Sequence, residues 1–314
     1  MDIFAPEVIY TGVWQKNDDN TVTAYWNYAS AEFKTDSKTI IIGYIDTETA
    51  SVDIDGVETV YTVTDNTVRL ETDGEMHSIK IAGKYDARIT LASIALEEGS
   101  KVLPPDKRPY FQFIGDSISH FSSSFTTKTP RALGVDWSIV AQAGAALHDG
   151  WGWYKMPEGM THRRGIESAY FKLQFPAETS DFTYYNFDIC RVPDVIVIFL
   201  GTNDYLDCEE HRKRGHIEIF ANAYCNFVSL LREKFPKAKI FMLEALSDKC
   251  CRVEGIETAH KVVSAKHKDV TLIRSDKWNI EISEDGTHPT PKGATDLANK
   301  LTDYLKNELN GTIL

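Results

Sequence analysis

A continuous apolar run in the middle of the chain constrains the fold more strongly than any other feature. Residues 193–201 read PDVIVIFLG, in which six consecutive apolar residues stand between an aspartate and a glycine. A strand with one face in water alternates apolar and polar residues, whereas a parallel strand covered on both faces is apolar throughout. The run therefore predicts a strand of a parallel sheet that helices cover on both sides.

Four further segments share this apolar character. They are 110–115 (YFQFIG), 137–144 (WSIVAQAG), 238–246 (AKIFMLEAL) and 270–276 (VTLIRSD). Helical periodicity separates several of them, at 216–235, 255–267 and 291–308. Strands that alternate with helices predict an α/β domain, which we assign to residues 110–314.

The first 103 residues have a different texture. They contain short β-type runs such as TVTAYWNY, KTIIIGYI and MHSIKIAG. Turn dipeptides separate the runs, namely Asp55-Gly56, Asp65-Asn66 and Asp73-Gly74. Closely spaced strands with polar turns predict a small antiparallel β-sandwich over residues 1–103. The proline-rich residues 104–109 are expected to be a stiff linker to the α/β domain.

Charge and composition exclude several classes of partner. The 314-residue chain has a formal net charge of −12, which argues against nucleic acid because phosphate binding needs clustered Lys and Arg. No apolar run approaches the roughly 20 residues of a membrane span, so no membrane partner is expected. The five cysteines are odd in number and irregularly spaced, which does not predict a disulfide framework. The start, MDIFAPEVIYTG, lacks a secretory pattern, so a cytoplasmic location is expected; a secreted origin with the signal removed is the alternative.

Reactive residue types follow the predicted strands. The first strand leads into Gly115-Asp116-Ser117, the second into Gly144, and the apolar run at 193–201 into GTND with Asn203. Near the C-terminus, DGTHPTPKG carries Asp285 and His288 just before a predicted helix. Because the carboxyl ends of parallel strands meet at one edge of a sheet, reactive groups gather there.

These residues fill the roles that acyl transfer requires. Ser117 is the candidate nucleophile, His288 its general base, and Asp285 the group that orients the imidazole. The backbone N–H groups of Ser117 and Gly144, with the side-chain amide of Asn203, are the candidate donors to an oxyanion.

The four blocks at 115–117, 144, 201–204 and 285–289 resemble those of the SGNH (GDSL-type) hydrolases. The resemblance covers residues of about 110–308 and implies a flavodoxin-like three-layer α/β/α fold with a metal-independent esterase mechanism. The Ser, Gly, Asn and His of that family match Ser117, Gly144, Asn203 and His288. In some similar esterases a backbone carbonyl orients the histidine instead of a carboxylate, which leaves the role of Asp285 open.

The stretch TGVWQKNDDNTVTAYWNYASAEFKTDSKTIIIG at 11–43 resembles the opening of family-two carbohydrate esterases. In those enzymes a small jelly-roll-like β-sandwich precedes the hydrolase domain. The resemblance implies removal of acetyl groups from plant-type polysaccharides or oligosaccharides of the xylan, mannan or glucan type. The chain departs from the family pattern at Ser119-His120-Phe121, which places a second histidine near Ser117.

Other polar residues near the blocks are interpreted as structural. His120 is expected to pack or to contact substrate, because on a helix starting at Ser117 its side chain points away from the serine oxygen. Asp116 is expected to hold a turn through its side chain. Asp204 is expected to brace the loop that carries Asn203.

Residues 145–190 form an aromatic-rich insertion that interrupts the alternation of strands and helices. It is either a substrate wall or a surface excursion whose aromatic residues pack beneath it. Trp151, Trp153 and Tyr205 are the candidates for stacking against sugar rings, and His148 is a candidate sugar contact.

No metal or cofactor is expected. Cys208, His211 and His216 lack a fourth ligand and the usual zinc spacing. The chain contains no GxGxxG, P-loop or HExxH motif. The basic run HRKRGH at 211–216 is interpreted as a solvated loop.

Three functions remain to be separated at this point. The leading hypothesis is a serine esterase that deacetylates an O-acetylated sugar through an acetyl-serine intermediate. The second keeps the fold but changes the substrate to a lysophospholipid, thioester or other small acyl ester. The third is a glycan-binding protein without catalysis, which the complete set of reactive residues disfavours.

Overall fold

A computed structural model describes residues 1–83, 88–121, 123–153, 163–172, 189–204, 215–246 and 252–314. Within these ranges the chain forms two compact units. The first contains Met1–Arg108 together with 189–191, and the second contains the remaining described residues. None of the described helices is both long enough and apolar enough to cross a membrane.

Two antiparallel sheets build the first unit. The strands are β1 (Ile9–Thr11), β2 (Gln15–Lys16), β3 (Val22–Ala24), β4 (Ser30–Thr35), β5 (Thr39–Tyr44), β6 (Thr49–Ile54), β7 (Val57–Thr62), β8 (Thr67–Glu71), β9 (His77–Ala82), β10 (Ile89–Leu96) and β11 (Val102–Leu103). One sheet has the order β1-β4-β9-β6-β7, with β11 paired to β4, and the other has the order β2-β3-β10-β5-β8. Side chains from both sheets share one buried core around Trp14 and Phe33. The antiparallel β-rich prediction for this region is confirmed.

The predicted turn dipeptides lie where the backbone needs left-handed conformations. Asp55 and Gly56 join β6 to β7 with φ angles of 52° and 88°. Asp65 and Asn66 join β7 to β8 with φ angles of 50° and 59°. Gly, Asn and Asp tolerate these conformations best, which explains why such dipeptides mark hairpins.

The predicted linker at 104–109 is tied to the first unit. The Arg108 guanidinium donates to both carboxylate oxygens of Glu32 at 2.7 Å, and the Glu32 side chain is almost fully buried. Lys34 and Asp106 form a second ion pair at 2.6 Å. The segment is therefore anchored to the first unit by charge pairs and is more than a proline-stiffened spacer.

Residues 189–191 also belong to the first unit, although the sequence places them in the α/β segment. Strand β1 lies at the edge of its sheet, and Cys190 forms a parallel bridge with Tyr10 there. The Arg191 N–H donates to the Tyr10 carbonyl at 2.9 Å. The free edge of β1 thus accepts a short segment that is distant in sequence.

The second unit contains a parallel five-stranded sheet. Its strands are β12 (Tyr110–Gly115), β13 (Asp136–Ala141), β14 (Val195–Phe199), β15 (Lys239–Leu243) and β16 (Thr271–Ile273), in the order β13-β12-β14-β15-β16. The described helices are α1 (Ser117–His120), α2 (Phe125–Leu133), α3 (Ile166–Ala169), α4 (His216–Lys234), α5 (Arg252–Lys266) and α6 (Pro291–Leu309), with a 3-10 turn at Asp276–Trp278. The parallel α/β prediction is confirmed.

The register of the sheet places three strand ends side by side. Gly115, at the end of β12, lies opposite Ala141 of β13 and Phe199 of β14. The residues that follow these strands therefore emerge at the same edge. This is the edge at which the sequence motifs carry Ser117, Gly144 and Asn203.

The predicted helices at 216–235, 255–267 and 291–308 correspond to α4, α5 and α6. Helix α6 begins after Thr290, whose hydroxyl accepts from the Gly293 N–H at 3.0 Å, and Pro291 occupies the first turn. Its buried face packs against α2. Helix α2 was not predicted, because its sequence, FTTKTPRAL, holds three threonines and a proline, which are weak helix formers.

Candidate active site

Ser117 lies two residues after the end of strand β12 and begins the short helix α1. The Asp116 side chain caps this helix by accepting from the Ile118 N–H at 3.0 Å. The cap fixes the turn at which the chain leaves the strand. Ser117 is 7% exposed, so its hydroxyl is presented by a rigid and largely buried turn.

His288 approaches Ser117 from the loop before α6. The loop is closed by the Ser283 N–H, which donates to the His288 carbonyl at 2.8 Å, and by a bridge between Ile282 and Pro289. The imidazole Nε2 lies 2.8 Å from the Ser117 hydroxyl oxygen. Residues separated by 171 positions in sequence are therefore hydrogen-bonded.

Asp285 binds the other side of the imidazole. Its Oδ2 lies 2.6 Å from His288 Nδ1. Its Oδ1 accepts from the Thr287 N–H at 2.7 Å, the His288 N–H at 2.9 Å and the Ser283 hydroxyl at 2.8 Å. The hydrogen bond from the His288 ring, followed by these donors, holds the pKa of Asp285 far below its usual range. The group is thus a carboxylate that accepts from Nδ1–H.

The resulting chain of hydrogen bonds has a defined polarity. With Nδ1 donating to Asp285, Nε2 of neutral His288 carries the lone pair and accepts from Ser117. The His288 side chain is 41% exposed, so the imidazole is accessible to solvent. Ser117, by contrast, is largely buried. The structure brings together the hydroxyl, the imidazole and the carboxylate that the sequence predicted.

Gly144 and Asn203 follow the two strands that flank β12. Gly144 has a φ of 77°, a conformation that favours glycine. The Asn203 amide nitrogen donates to the Ala145 carbonyl at 2.9 Å and has a second hydrogen available. Within the described part of the chain, the N–H groups of Ser117 and Gly144 donate to no other group. The edge therefore offers donors that a developing oxyanion requires.

Two buried aspartates surround these donors. Burial raises the pKa of Asp116 to about 6, opposed by the Ile118 N–H, the Thr202 hydroxyl, the charge that His288 carries when protonated and the charge of Arg252. Asp116 Oδ1 accepts from Ile118, whereas its Oδ2 is buried without a partner of good hydrogen-bond geometry in the described residues.

Asp204 has a comparable environment. Burial raises its pKa to about 7, opposed by the N–H groups of Leu147 and His148 and reinforced by the negative charges of Asp116 and Glu167. The sequence expected Asp204 to brace its own loop, but its carboxylate binds the neighbouring loop after β13.

The candidate sugar-contacting residues have distinct environments. Trp153 is 58% exposed, whereas Trp151 is partly buried, with the rings of His148 and His216 each 4.8 Å from its own ring. His148 Nδ1 lies 2.6 Å from the Glu167 carboxylate. The fourth candidate, Tyr205, lies outside the described residues.

His120 does not reach Ser117 as a base. Its ring is 2% exposed, and Nδ1 lies 2.8 Å from the Ala141 carbonyl at the end of β13. The ring also contacts Phe121 edge-on. This is the packing role that the sequence predicted.

Sequence reasoning missed Arg252. Its buried side chain lies 3.5 Å from the Thr287 hydroxyl in the His288 loop, and its charge lowers the pKa of Asp116. A single arginine at the start of an amphipathic helix gives no sequence signal of this position.

The described residues contain no group of three or more His, Cys, Asp and Glu side chains that could hold a metal ion. Of the weak metal set considered from the sequence, Cys208 and His211 lie outside the described residues. His216 begins α4 and contacts Trp151.

Comparisons with known proteins give structural matches only. No family model matches the sequence, and no curated protein matches it. A family two carbohydrate esterase from Cellvibrio japonicus has a TM-score of 0.72 at 18% identity, covering 98% of this chain and 96% of that chain. The acetyl xylan esterase Est2A from the rumen bacterium Butyrivibrio proteoclasticus has a TM-score of 0.70 at 18% identity, covering 97% and 96%.

A third match is a family two carbohydrate esterase from Clostridium thermocellum in complex with cellohexaose. Its TM-score is 0.68 at 20% identity, covering 96% of this chain and 99% of that chain. At sequence identities of 18–20%, these matches establish a shared fold only. The match extends over nearly the whole of each chain. The chain therefore has the same fold as these family two carbohydrate esterases, with a β-rich part followed by an α/β part.

Proposed function

We propose that this protein is a serine esterase that removes O-acetyl groups from carbohydrates. The observation that carries the proposal is the hydrogen-bonded chain from Ser117 through His288 to Asp285, next to unengaged backbone donors at the edge of a parallel sheet. A serine hydroxyl is a poor nucleophile alone, and such a chain activates it.

The mechanism follows from the polarity of this chain. His288 Nε2 takes the Ser117 proton as the serine oxygen attacks the acetyl carbonyl carbon. The N–H groups of Ser117 and Gly144 and the Asn203 amide donate to the oxygen as it becomes negative. The intermediate collapses, protonated His288 gives its proton to the leaving sugar oxygen, and acetyl-serine remains.

Hydrolysis of the acetyl-serine repeats the same sequence with water. His288 takes a proton from water, the hydroxide oxygen attacks the acetyl carbon, and the Ser117 oxygen leaves with that proton. Asp285 keeps Nδ1 as the protonated nitrogen and stabilises the imidazolium that forms in both halves. Acetate is the second product, and neither half requires a metal or an oxidant.

The proposed substrate is an acetylated plant-type oligosaccharide or polysaccharide of the xylan, mannan or glucan type. The exposed indole of Trp153 and the partly buried ring of Trp151 supply flat apolar surfaces on the loop after Gly144. Support also comes from the acetyl xylan esterase and the cellohexaose-bound esterase among the structures with the same fold.

We also propose the finer fold assignment that this function implies. The strand order β13-β12-β14-β15-β16 supports a flavodoxin-like sheet in a three-layer α/β/α domain, which we place at residues 110–314. The paired sheets of the first unit support a jelly-roll-like sandwich over residues 1–103.

The experiment that tests the function is acetate release from a panel of acetylated xylo-, manno- and gluco-oligosaccharides. The wild-type protein should release acetate from at least one of these, and Ser117→Ala should abolish release. Ser119→Ala is the matched control, since it removes a hydroxyl two residues away on the same helix and should leave acetate release intact.

Aryl esters of increasing chain length separate the alternatives. Faster hydrolysis of long acyl chains than of acetate would favour a lipid or thioester substrate. Binding of an oligosaccharide without any acetate release would favour a glycan-binding protein. Hydrolysis that survives in Ser117→Ala would contradict the assignment of the nucleophile.

A further inference from the structure

Two consecutive residues of the loop after β14, Asn203 and Asp204, form hydrogen bonds with the loop after β13. The Asn203 amide nitrogen donates to the Ala145 carbonyl at 2.9 Å. Asp204 Oδ1 accepts from the N–H groups of Leu147 at 3.1 Å and His148 at 3.0 Å, and its Oδ2 lies 3.0 Å from the Leu147 nitrogen. We call residues 145–148 the clamped segment.

The clamped segment begins one residue after Gly144. Its position therefore sets where the Gly144 N–H stands relative to Ser117 and Asn203. The Ala145 N–H donates to the Gln142 carbonyl at 3.1 Å, and the Gly144 carbonyl accepts from the Trp153 N–H at 2.7 Å. The N–H and the carbonyl of the Gly144–Ala145 peptide are thus both hydrogen-bonded, in a turn whose far side ends on Asp204.

Helix α3 holds the opposite side of the clamped segment. The N–H groups of Ile166 and Glu167 donate to the carbonyls of Ala146 and Leu147 at 2.9 and 3.1 Å. A β-carbon on Gly165 would lie only 2.2 Å from the Leu147 carbonyl oxygen, so the two backbones touch. The clamped segment is thus hydrogen-bonded to α3 through its carbonyl groups and to Asp204 through its N–H groups.

The contacts of Asp204 suit positioning and do not suit proton transfer. The residue is 2% exposed and uses its carboxylate on backbone N–H groups. A carboxylate is an acceptor at both oxygens. An asparagine in its place would present an N–H₂ group to the Leu147 N–H, which makes two donors face each other.

We propose that Asp204 is a positioning residue that holds the Gly144 N–H in place as an oxyanion donor. The inference rests on the proposed esterase function and adds to it a residue outside the Ser–His–Asp chain. It also explains why the loop after β14 carries an acidic residue next to Asn203, in a buried position where a charge is costly.

The test compares Asp204→Asn with Asp194→Asn. Asp194 lies at the other end of β14, where its Oδ2 accepts from the Tyr110 N–H at 2.8 Å. Each substitution replaces a carboxylate that accepts from backbone N–H groups of the second unit. For each variant we would measure kcat and KM on an aryl acetate, the melting temperature, and amide hydrogen exchange of residues 144–148.

Asp204→Asn should lower kcat by about 10- to 100-fold with KM unchanged, as expected when an oxyanion donor is misplaced. Exchange in the clamped segment should become faster. Asp194→Asn should lower the melting temperature without changing kcat or exchange at 144–148. If the two variants lose kcat and melting temperature to the same extent, the effect is a general loss of stability, and the positioning role of Asp204 is contradicted.

The outcomes separate the inference from the proposed function. Wild-type kcat in Asp204→Asn, with Ser117-dependent hydrolysis intact, would overturn the positioning role and leave the esterase standing. Unchanged hydrogen exchange at 144–148 would overturn the clamp whatever the activity. A wild-type protein without Ser117-dependent hydrolysis would overturn the proposed function and the positioning role with it.

Discussion

At the scale of single residues, the surroundings of each aspartate near Ser117 decide its chemical state. Asp285 is half-exposed and meets four donors, which keep its pKa far below the usual range. Asp116 and Asp204 are buried, and desolvation raises their pKa values to about 6 and about 7. One residue type therefore serves as a permanently charged orienter at Asp285 and as a buried backbone-binding group at the other two positions.

Asp285→Asn is expected to lower kcat on an aryl acetate by about 10²–10⁴-fold. The asparagine can still accept from the backbone of Thr287 and His288, but its N–H₂ group would face His288 Nδ1. The imidazole would then carry its proton on Nε2 and could not accept from Ser117. The melting temperature should change little. Full activity in this variant would indicate that a backbone carbonyl orients the histidine.

Asn203→Ala should reduce kcat by about 10²–10³-fold, because one of the proposed oxyanion donors disappears. The loss of its hydrogen bond to the Ala145 carbonyl should cost only about 0.5–1.5 kcal/mol of unfolding free energy. Steady-state kinetics and urea denaturation of the same preparation measure both effects. A large loss of stability with kcat retained would place Asn203 among the structural residues.

At the scale of elements, the segments with a single strong signal could be predicted from sequence. Strand β14 is apolar throughout, and tight turns of the first unit carry Asp-Gly or Asp-Asn at positive-φ positions. The blocks at strand ends predicted that Ser117, Gly144 and Asn203 share one edge, because a parallel sheet brings its carboxyl ends together. His288 lies in the loop before α6, and its pairing with Ser117 was predicted from the roles that acyl transfer requires and from the family resemblance.

The elements that sequence reasoning missed depend on tertiary contacts. Helix α2 (Phe125–Leu133) is stabilised by packing against α6, which overrides the poor propensity of its threonines. The partner of Asp204 lies in a different loop, and a carboxylate shows no preference in sequence for one backbone N–H over another. Cys190 pairs with the edge strand β1, but the residues around Cys190 in the sequence do not have a pattern that predicts a strand.

One histidine contacts two connections of the first unit, the turn between β6 and β7 and the segment between β8 and β9. His77 Nδ1 lies 2.6 Å from Asp55, in the turn between β6 and β7, and Nε2 lies 2.8 Å from Asp73, just before β9. The hydrogen bonds with Asp55 and then Asp73 raise the pKa of His77. The hydrogen bond with His77 is the main cause that lowers the pKa of Asp55, whereas the pKa of Asp73 is lowered first by the Glu75 N–H and then by His77. The imidazolium thus joins the two connections.

His77→Gln should destabilise the first unit more in mild acid than in base. A raised folded pKa means that the stabilisation is fully present below the unfolded value of about 6.5 and is lost as pH rises through the folded value. The carboxylates contribute above about pH 4, so the loss should be largest between about pH 4 and 6.5. Urea denaturation of wild type and variant across this range measures the difference.

His267→Gln is the matched control in the second unit. Burial lowers the pKa of His267, with Lys266 and Arg232 acting in the same direction. Protonation is therefore less favourable in the folded state, and the stability that this histidine contributes falls as pH falls through the unfolded pKa. The two variants should show opposite pH trends. Parallel trends would contradict the role assigned to the His77 contacts.

At the scale of the whole molecule, the chain does not complete one unit before it begins the other. The first unit takes in 189–191 after the chain has already formed β12 and β13 of the second. Among the contacts that hold this segment in the first unit are three hydrogen bonds from N–H groups. The Arg191 N–H donates to Tyr10, the Arg191 side chain donates to the Arg108 carbonyl, and the Trp14 N–H donates to the Cys190 sulfur.

A fragment ending at Arg108 should therefore be less stable than the same strands in the full chain. Loss of these three hydrogen bonds should cost about 1.5–4.5 kcal/mol, at about 0.5–1.5 kcal/mol each. Joining 189–191 to the fragment through a flexible glycine–serine linker should recover part of this difference, whereas a linker followed by three alanines should not. Tryptophan fluorescence from Trp14 and Trp26, which are both buried, reports unfolding by urea of each fragment. Equal midpoints for the fragment with and without 189–191 would mean that strand β1 is stable without its partner at Cys190, and that the first unit is complete at Arg108.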